Sequence, residues 1–77
     1  MMPHVIVKLL AGRTREQKAR IAEEVTKAVM ATTGNGEDAV SVAIEDVERK
    51  DWTEQVYRPE ILAHWETLFK KPGYDPF

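Results

Sequence analysis

The sequence predicts an α/β fold in which a β-α-β unit with parallel strands is followed by a C-terminal helix. Three patterns predict it: an apolar, β-branched run over residues 3–10, an amphipathic helical repeat behind a capping signal, and an alternating run over residues 39–46. Strands that precede and follow one helix run parallel through a right-handed crossover. Because two strands do not make a stable sheet alone, we expect a second subunit to complete a four-stranded sheet.

The first strand is predicted over residues 3–10, which read PHVIVKLL. Pro3 suits the first position of a strand, where its missing N–H group is not needed for pairing. Val5 and Val7 point to one face and Ile6 to the other, so both faces are largely apolar. A strand of this kind is typically covered on both sides.

The helix is predicted to start at about Arg15, because Thr14 and Gln17 have the spacing of a capping box. An apolar stripe follows at helical spacing and packs on the sheet. Its members are Ile21, Val25, Ala28 and Val29. The segment TTGNG over residues 32–36 ends the helix, since glycine adopts positive φ at little steric cost.

The second strand is predicted over residues 39–46, where Val40, Val42 and Ile44 alternate with smaller or charged side chains. We then expect a short turn or helix near residues 51–57. A helix should run from Pro59, which is tolerated in a first turn, to about Lys70. The turn-rich segment KKPGYDPF, residues 70–77, is expected to lie on a partner subunit.

Composition limits the classes of protein that the chain can belong to. Its 77 residues make one domain, residues 1–77, whose core is marginal alone. With no Cys, neither a disulfide nor a thiolate zinc site can stabilise it, so we expect a homo-oligomer, a dimer above all. The net charge of −2 gives no basic excess to bind nucleic acid. The early apolar run is too short for a signal peptide or a membrane span, which predicts a cytoplasmic protein without a membrane partner.

The opening segment PHVIVKLLAGRTREQKARIAEEVTKAV resembles the first strand, turn and helix of the 4-oxalocrotonate tautomerase family. In that family an initial proline and a strand precede a turn of the form GR[ST]xEQK. The resemblance covers about the first 52 residues, and the later helix and the closing KKPGY are similar to a dimeric subgroup known for tautomerising phenylpyruvate. It implies a keto-enol tautomerase that acts on a small 2-oxo acid or its enol and needs no metal or organic cofactor.

The resemblance also implies roles for individual residues. The family's catalytic base falls on Pro3, its first substrate-binding arginine on Arg13, and an aromatic of the pocket wall on Trp52. A second family arginine, in the second strand, is replaced by Ser41. Because a guanidinium fork is what holds a second carboxylate firmly, this replacement favours a monocarboxylate over a dicarboxylate substrate.

The chemistry is reasonable without the family name. Moving a proton between an enol oxygen and the neighbouring carbon calls for a base whose pKa lies near the working pH. Burial and the charge of Arg13 would lower the pKa of a terminal amine at Pro3, and Arg13 would stabilise the developing enolate. His4 and Ser41 are further candidates for substrate contacts. Arg49 and Arg58 could replace the missing arginine, although solvated surface positions are the simpler interpretation of both.

Two alternatives remain at this point. Pro3 carries a basic amine only after Met1 and Met2 are removed; a capped proline would favour a non-catalytic oligomeric protein that binds small acids on a tautomerase scaffold. A hydrolytic or dehalogenating activity on a 3-substituted acrylate is the second alternative. That chemistry usually needs more arginines and a carboxylate that activates water, and Ser41 in place of an arginine counts against it.

Overall fold

The computed structural model describes residues 2–77 and confirms the β-α-β unit. Strand β1 (His4–Leu10) leads into helix α1 (Arg15–Thr33), which returns through a 3₁₀ turn (Glu37–Ala39) to strand β2 (Ser41–Val47). A second 3₁₀ turn (Arg49–Asp51), a π-helix (Thr53–Ile61) and a 3₁₀ helix (Leu62–Thr67) follow. No helix within residues 2–77 is long and apolar enough to cross a membrane.

Strands β1 and β2 pair in parallel, in a register that opposes His4 to Ser41 and Leu10 to Val47. The amino ends of both strands therefore lie at one end of the sheet, and the carboxyl ends lie at the other. Beyond the carboxyl end the backbone N–H of Ala11 still donates to the carbonyl of Val47 at 2.9 Å. This hydrogen bond holds the turn that follows β1 against the end of β2.

The two faces of the sheet carry different helices. Lys18 of α1 donates to the carboxylate of Asp46 at 2.8 Å, which places α1 over the face that Asp46 shares with Leu9. On the opposite face Lys8 is paired with Glu60 of the π-helix. Since side chains alternate along a strand, this second face also carries Ile6, which remains 51% exposed.

Helix α1 begins and ends where the sequence predicts. The Thr14 hydroxyl accepts from the backbone N–H of Gln17 at 3.1 Å, while the Gln17 side chain accepts from the Thr14 N–H at 2.9 Å. Gly34 ends the helix at φ 78°, and its N–H donates to the Met30 carbonyl at 2.9 Å. The apolar stripe is half-buried, with the exception of Ala28, which is exposed.

The C-terminal helical region differs from the prediction. Pro59 does not open a helix but lies inside the π-helix, and the following 3₁₀ helix ends at Thr67 rather than near Lys70. In an α-helix the proline ring would clash with the carbonyl four residues earlier. Pro59 lies instead within a π-helix, whose backbone hydrogen bonds span five residues rather than four.

The tail packs on the π-helix region of its own chain, and its expected contact with a partner subunit stays a prediction. The indole N–H of Trp52 donates to the Tyr74 hydroxyl at 2.9 Å. The ring of Tyr57 lies 5.6 Å from that of Tyr74 and 5.3 Å from that of Phe77, and the Arg58 guanidinium lies 4.4 Å above the Phe77 ring. These contacts join the tail to the π-helix.

The core of the described chain is small. Only Val47, Val56 and Tyr57 are buried among the apolar residues of 2–77, and none of these residues has a side chain less than 2% exposed. Like Ile6, the apolar residues Leu62 and Phe69 are exposed. A single copy thus leaves much of its apolar surface in water.

Candidate functional site

The amino ends of the strands bring together Pro3, His4 and Ser41. The backbone N–H of Ser41 donates to the carbonyl of Pro3 at 3.2 Å, and Nδ1 of His4 lies 2.6 Å from Oγ of Ser41. Pro3 is half-buried, whereas His4 and Ser41 are exposed. Three of the sequence-predicted site residues are therefore neighbours, and the Ser41 hydroxyl is already hydrogen-bonded to His4.

An open pocket of about 520 Å³ lies at the other end of the sheet. Its wall combines the end of β1, the segment after β2 and the C-terminal tail. The lining residues are Leu10, Arg49, Trp52, Thr53, Tyr74 and Pro76. Trp52 is one of these lining residues, and its role as a wall of the substrate site stays a prediction.

Arg13 lies at the same end of the sheet as this pocket. It follows Gly12, whose φ of 123° turns the chain after β1, and its side chain is exposed and outside the lining of the pocket. In one chain the proposed base and the predicted arginine are well separated. Seven residue steps from Pro3 to Leu10 correspond to about 23 Å of extended strand. One chain therefore does not bring Pro3 together with Arg13 or Trp52.

Charge is distributed unevenly around the pocket. Arg49 is the charged residue of the lining, and within residues 2–77 no carboxylate lies within 4.0 Å of its guanidinium. Arg58, the other arginine of this region, donates to Glu54 at 2.8 Å and stacks on Phe77. Of the two arginines considered as replacements for the missing one, only Arg49 faces the pocket.

The pKa values of two residues near the tail and the sheet are shifted upwards. Burial raises the pKa of Tyr57, and the nearby Asp75 carboxylate and Tyr74 add to the shift. On the sheet, the hydrogen bond to Glu60 raises the pKa of Lys8. Neither group lines the pocket.

Sequence reasoning missed Tyr74 as a site residue. The signal was present, because an aromatic residue in a segment made mostly of turn residues and charges is a candidate for a specific contact. Its partner Trp52 is 22 residues earlier, and no local pattern connects the two positions. Leu10, Thr53 and Pro76 were missed for the same reason. Within residues 2–77 no cluster of three or more His, Asp or Glu could hold a metal ion.

Comparisons with known proteins give this geometry a context. A family model described as "Tautomerase enzyme" matches residues 3–60. A protein of Xylella fastidiosa (strain 9a5c) named "Probable tautomerase" is 45% identical over 73 residues, which cover 95% of this chain and 89% of that protein. "Tautomerase PptA" of Pectobacterium carotovorum subsp. carotovorum (strain PC1) is 38% identical over 74 residues, which cover 95% of this chain and 97% of that protein.

The solved structures agree with the sequence matches. The structure described for the 4-oxalocrotonate tautomerase isozymes from Methylibium petroleiphilum is similar to this chain with a TM-score of 0.63 at 40% identity. The match covers 65% of this chain and 81% of that chain. The similarity thus extends from sequence to the arrangement of strands and helix.

Proposed function

Because this chain belongs to the tautomerase family of enzymes, we propose that it interconverts the keto and enol forms of a small 2-oxo acid such as phenylpyruvate, with Pro3 as the base. The observation that carries the proposal is the start of the family match at Pro3, which supports assigning the base to this residue. Ser41, where a second arginine would bind another carboxylate, favours a monocarboxylate substrate.

In the proposed reaction the secondary amine of Pro3 accepts the proton of the enol hydroxyl and returns a proton to the neighbouring carbon. Negative charge develops on the substrate oxygens during the transfer, and Arg13 binds and stabilises it. His4 and Ser41, which are hydrogen-bonded beside Pro3, would contact the substrate at the same end of the sheet. No cofactor takes part in this scheme.

The distance along β1 makes the proposed site a shared one. Pro3 of one subunit would act with Arg13 and Trp52 of another, since about 23 Å of strand separates them within a chain. A homodimer that joins two β-α-β units into a four-stranded sheet would also cover exposed apolar residues such as Ile6. We therefore propose that the active form is at least a dimer.

Replacing the base tests the assignment most directly. We expect Pro3→Ala to lower kcat for phenylpyruvate enol by about 10²- to 10⁴-fold, the usual contribution of a positioned acid or base. The circular dichroism spectrum and the assembly state should not change. Full activity of Pro3→Ala would remove Pro3 from the mechanism.

Mixing two inactive variants tests whether the site is shared. Heterodimers of Pro3→Ala and Arg13→Ala chains contain one intact site, formed by Pro3 of one chain and Arg13 of the other. Equal mixing under conditions that exchange subunits should restore about a quarter of the wild-type activity for a two-fold symmetric dimer. A site built within one chain would show no recovery on mixing.

The residues before Pro3 decide between this proposal and its alternative. The sequence carries Met1 and Met2 ahead of Pro3, and an amide-linked proline has no basic lone pair. The intact mass of the chain purified from its native host measures which residues remain. A mass that includes Met2 would favour the non-catalytic acid-binding protein. A cytoplasmic location is part of the proposal, and fractionation of the host cell would test it.

A further inference from the structure

We propose that Arg49 and Tyr74 are the residues that select the substrate, with Arg49 binding the carboxylate and Tyr74 donating a hydrogen bond beside it. The inference rests on the proposed function in one respect, because it takes the pocket at the carboxyl ends of the strands as the place where the acid binds. It assigns the specificity of that pocket to the segment after β2 and to the C-terminal tail.

Arg49 is suited to bind an anion because its charge is not used elsewhere in the described chain. By contrast, Lys8, Lys18 and Lys27 each form an ion pair with a carboxylate within residues 2–77. Arg58 is held by Glu54 and by the Phe77 ring. Arg49 lines the pocket without such a partner, and a guanidinium matches the two oxygens of a carboxylate.

Tyr74 is oriented by a hydrogen bond that leaves its own proton available. Its hydroxyl oxygen accepts from the Trp52 indole N–H at 2.9 Å, and indole can only donate. The hydroxyl hydrogen of Tyr74 therefore points elsewhere, and no hydrogen bond described for residues 2–77 uses it. Tyr74 lines the pocket, so this hydrogen can be donated to an oxygen of a bound acid.

The rest of the wall is apolar and fits the hydrocarbon part of such an acid. Leu10, the Trp52 ring and Pro76 provide three apolar surfaces around the guanidinium and the hydroxyl. The pocket volume of about 520 Å³ lies in the range of small-molecule sites. The nearby Asp75 carboxylate accepts from the Phe77 N–H at 2.9 Å and does not line the pocket. The combination predicts selection of monocarboxylates with a flat apolar body.

Calorimetric titration of the assembled protein with 3-phenylpropionate, which cannot tautomerise, tests binding apart from catalysis. We expect Arg49→Gln to weaken binding about tenfold or more, the effect of losing a hydrogen bond to a charged group. Tyr74→Phe should weaken it about two- to tenfold. Lys50→Gln is the matched control: it removes the same charge from the next residue, which is exposed and outside the pocket, and it should bind like wild type.

The methyl ester of the same acid separates a carboxylate contact from a general loss of structure. The ester should bind Arg49→Gln and wild type equally, because it presents no carboxylate to either. Equal losses for acid and ester, or an Arg49→Gln variant that binds the acid like wild type, would overturn the inference.

The base variant keeps this inference separate from the proposed function. Pro3→Ala should still bind 3-phenylpropionate while losing the tautomerase rate. A full rate in Pro3→Ala would contradict the role of Pro3 as the base, but not the binding of the acid in the pocket. If Pro3→Ala loses the rate but Arg49→Gln keeps an unchanged KM for phenylpyruvate enol, the role of Arg49 in binding is contradicted. The role of Pro3 as the base is then retained.

Discussion

Tyr57 links the π-helix to the C-terminal tail through one buried side chain. It belongs to the π-helix, and its ring contacts Tyr74 and Phe77 of the tail. Burial and the nearby Asp75 carboxylate raise its pKa above the ordinary value of 10.0, so the folded chain binds the phenolic proton more tightly than the unfolded chain does. The tail is thus held against a residue whose neutral form the fold favours.

The raised pKa of Tyr57 predicts a loss of stability at alkaline pH. A group whose pKa is higher in the folded state contributes fully below its unfolded value of 10.0, and this contribution is lost as the pH rises through the folded pKa. Urea unfolding from about pH 8 to about pH 11 should show the loss in wild type and a smaller one in Tyr57→Phe. Tyr74→Phe, which keeps Tyr57 and removes only the smallest of the three contributions to its pKa shift, should retain most of the loss. Identical pH profiles for wild type and Tyr57→Phe would contradict the assignment.

Individual site residues could be predicted from the sequence only where a local pattern or the family resemblance marked them. Pro3 and Trp52 were proposed in this way, and Trp52 lines the pocket at the carboxyl ends of the strands. The hydrogen bond from Trp52 to Tyr74 spans 22 residues and joins two segments with no common pattern. A contact of that kind is decided by packing, which the sequence alone does not express.

At the scale of elements, α1 shows how a few residues fix a helix. The capping box at Thr14 and the left-handed Gly34 each satisfy backbone groups that a helix end leaves open. Both signals lie within three residues of the end that they define, which is why the sequence predicted these boundaries. The local signal at Pro59 was misleading, because proline suits the first turn of an α-helix whereas this residue lies inside a π-helix.

The two glycines that follow α1 offer a matched comparison. Gly34 has φ 78°, which disfavours any side chain, whereas Gly36 has φ −77°, which any residue adopts. Open space surrounds the Cβ position at both sites. Gly34→Ala should therefore lower the free energy of unfolding by about 1 kcal/mol, and Gly36→Ala should leave it nearly unchanged, as measured by urea denaturation. Equal effects of the two changes would show that backbone conformation is not the cause.

At the scale of the whole molecule, the exposed face of the sheet predicts self-association. Ile6 lies in the middle of β1 on the face opposite α1 and is 51% exposed in the single chain. Ile6→Glu should shift the protein towards monomers in sedimentation and lower its melting temperature, because a monomer retains only the small core of one chain. Ala19→Glu places the same charge on the exposed side of α1, away from its apolar stripe, and should change neither property.

The sequence predicted the topology of the molecule better than its internal distances. Parallel strands follow from the strand, helix, strand order, and the structure confirms them. The same order places Pro3 and Arg13 at opposite ends of β1, a consequence of strand length that the family resemblance does not reveal. The contacts between the tail and the π-helix could not be predicted, since they depend on where the chain returns after Thr67.

The length of β1 has a kinetic consequence. If the groups needed for one turnover lie at opposite ends of a strand, a folded monomer has no catalytic activity. In a dilution series below the dissociation constant of the dimer, the rate would then fall with the square of the chain concentration. The tryptophan fluorescence of the folded chains would fall only in proportion to their number. The activity per chain would thus decrease as the concentration of the protein falls, without any inhibitor.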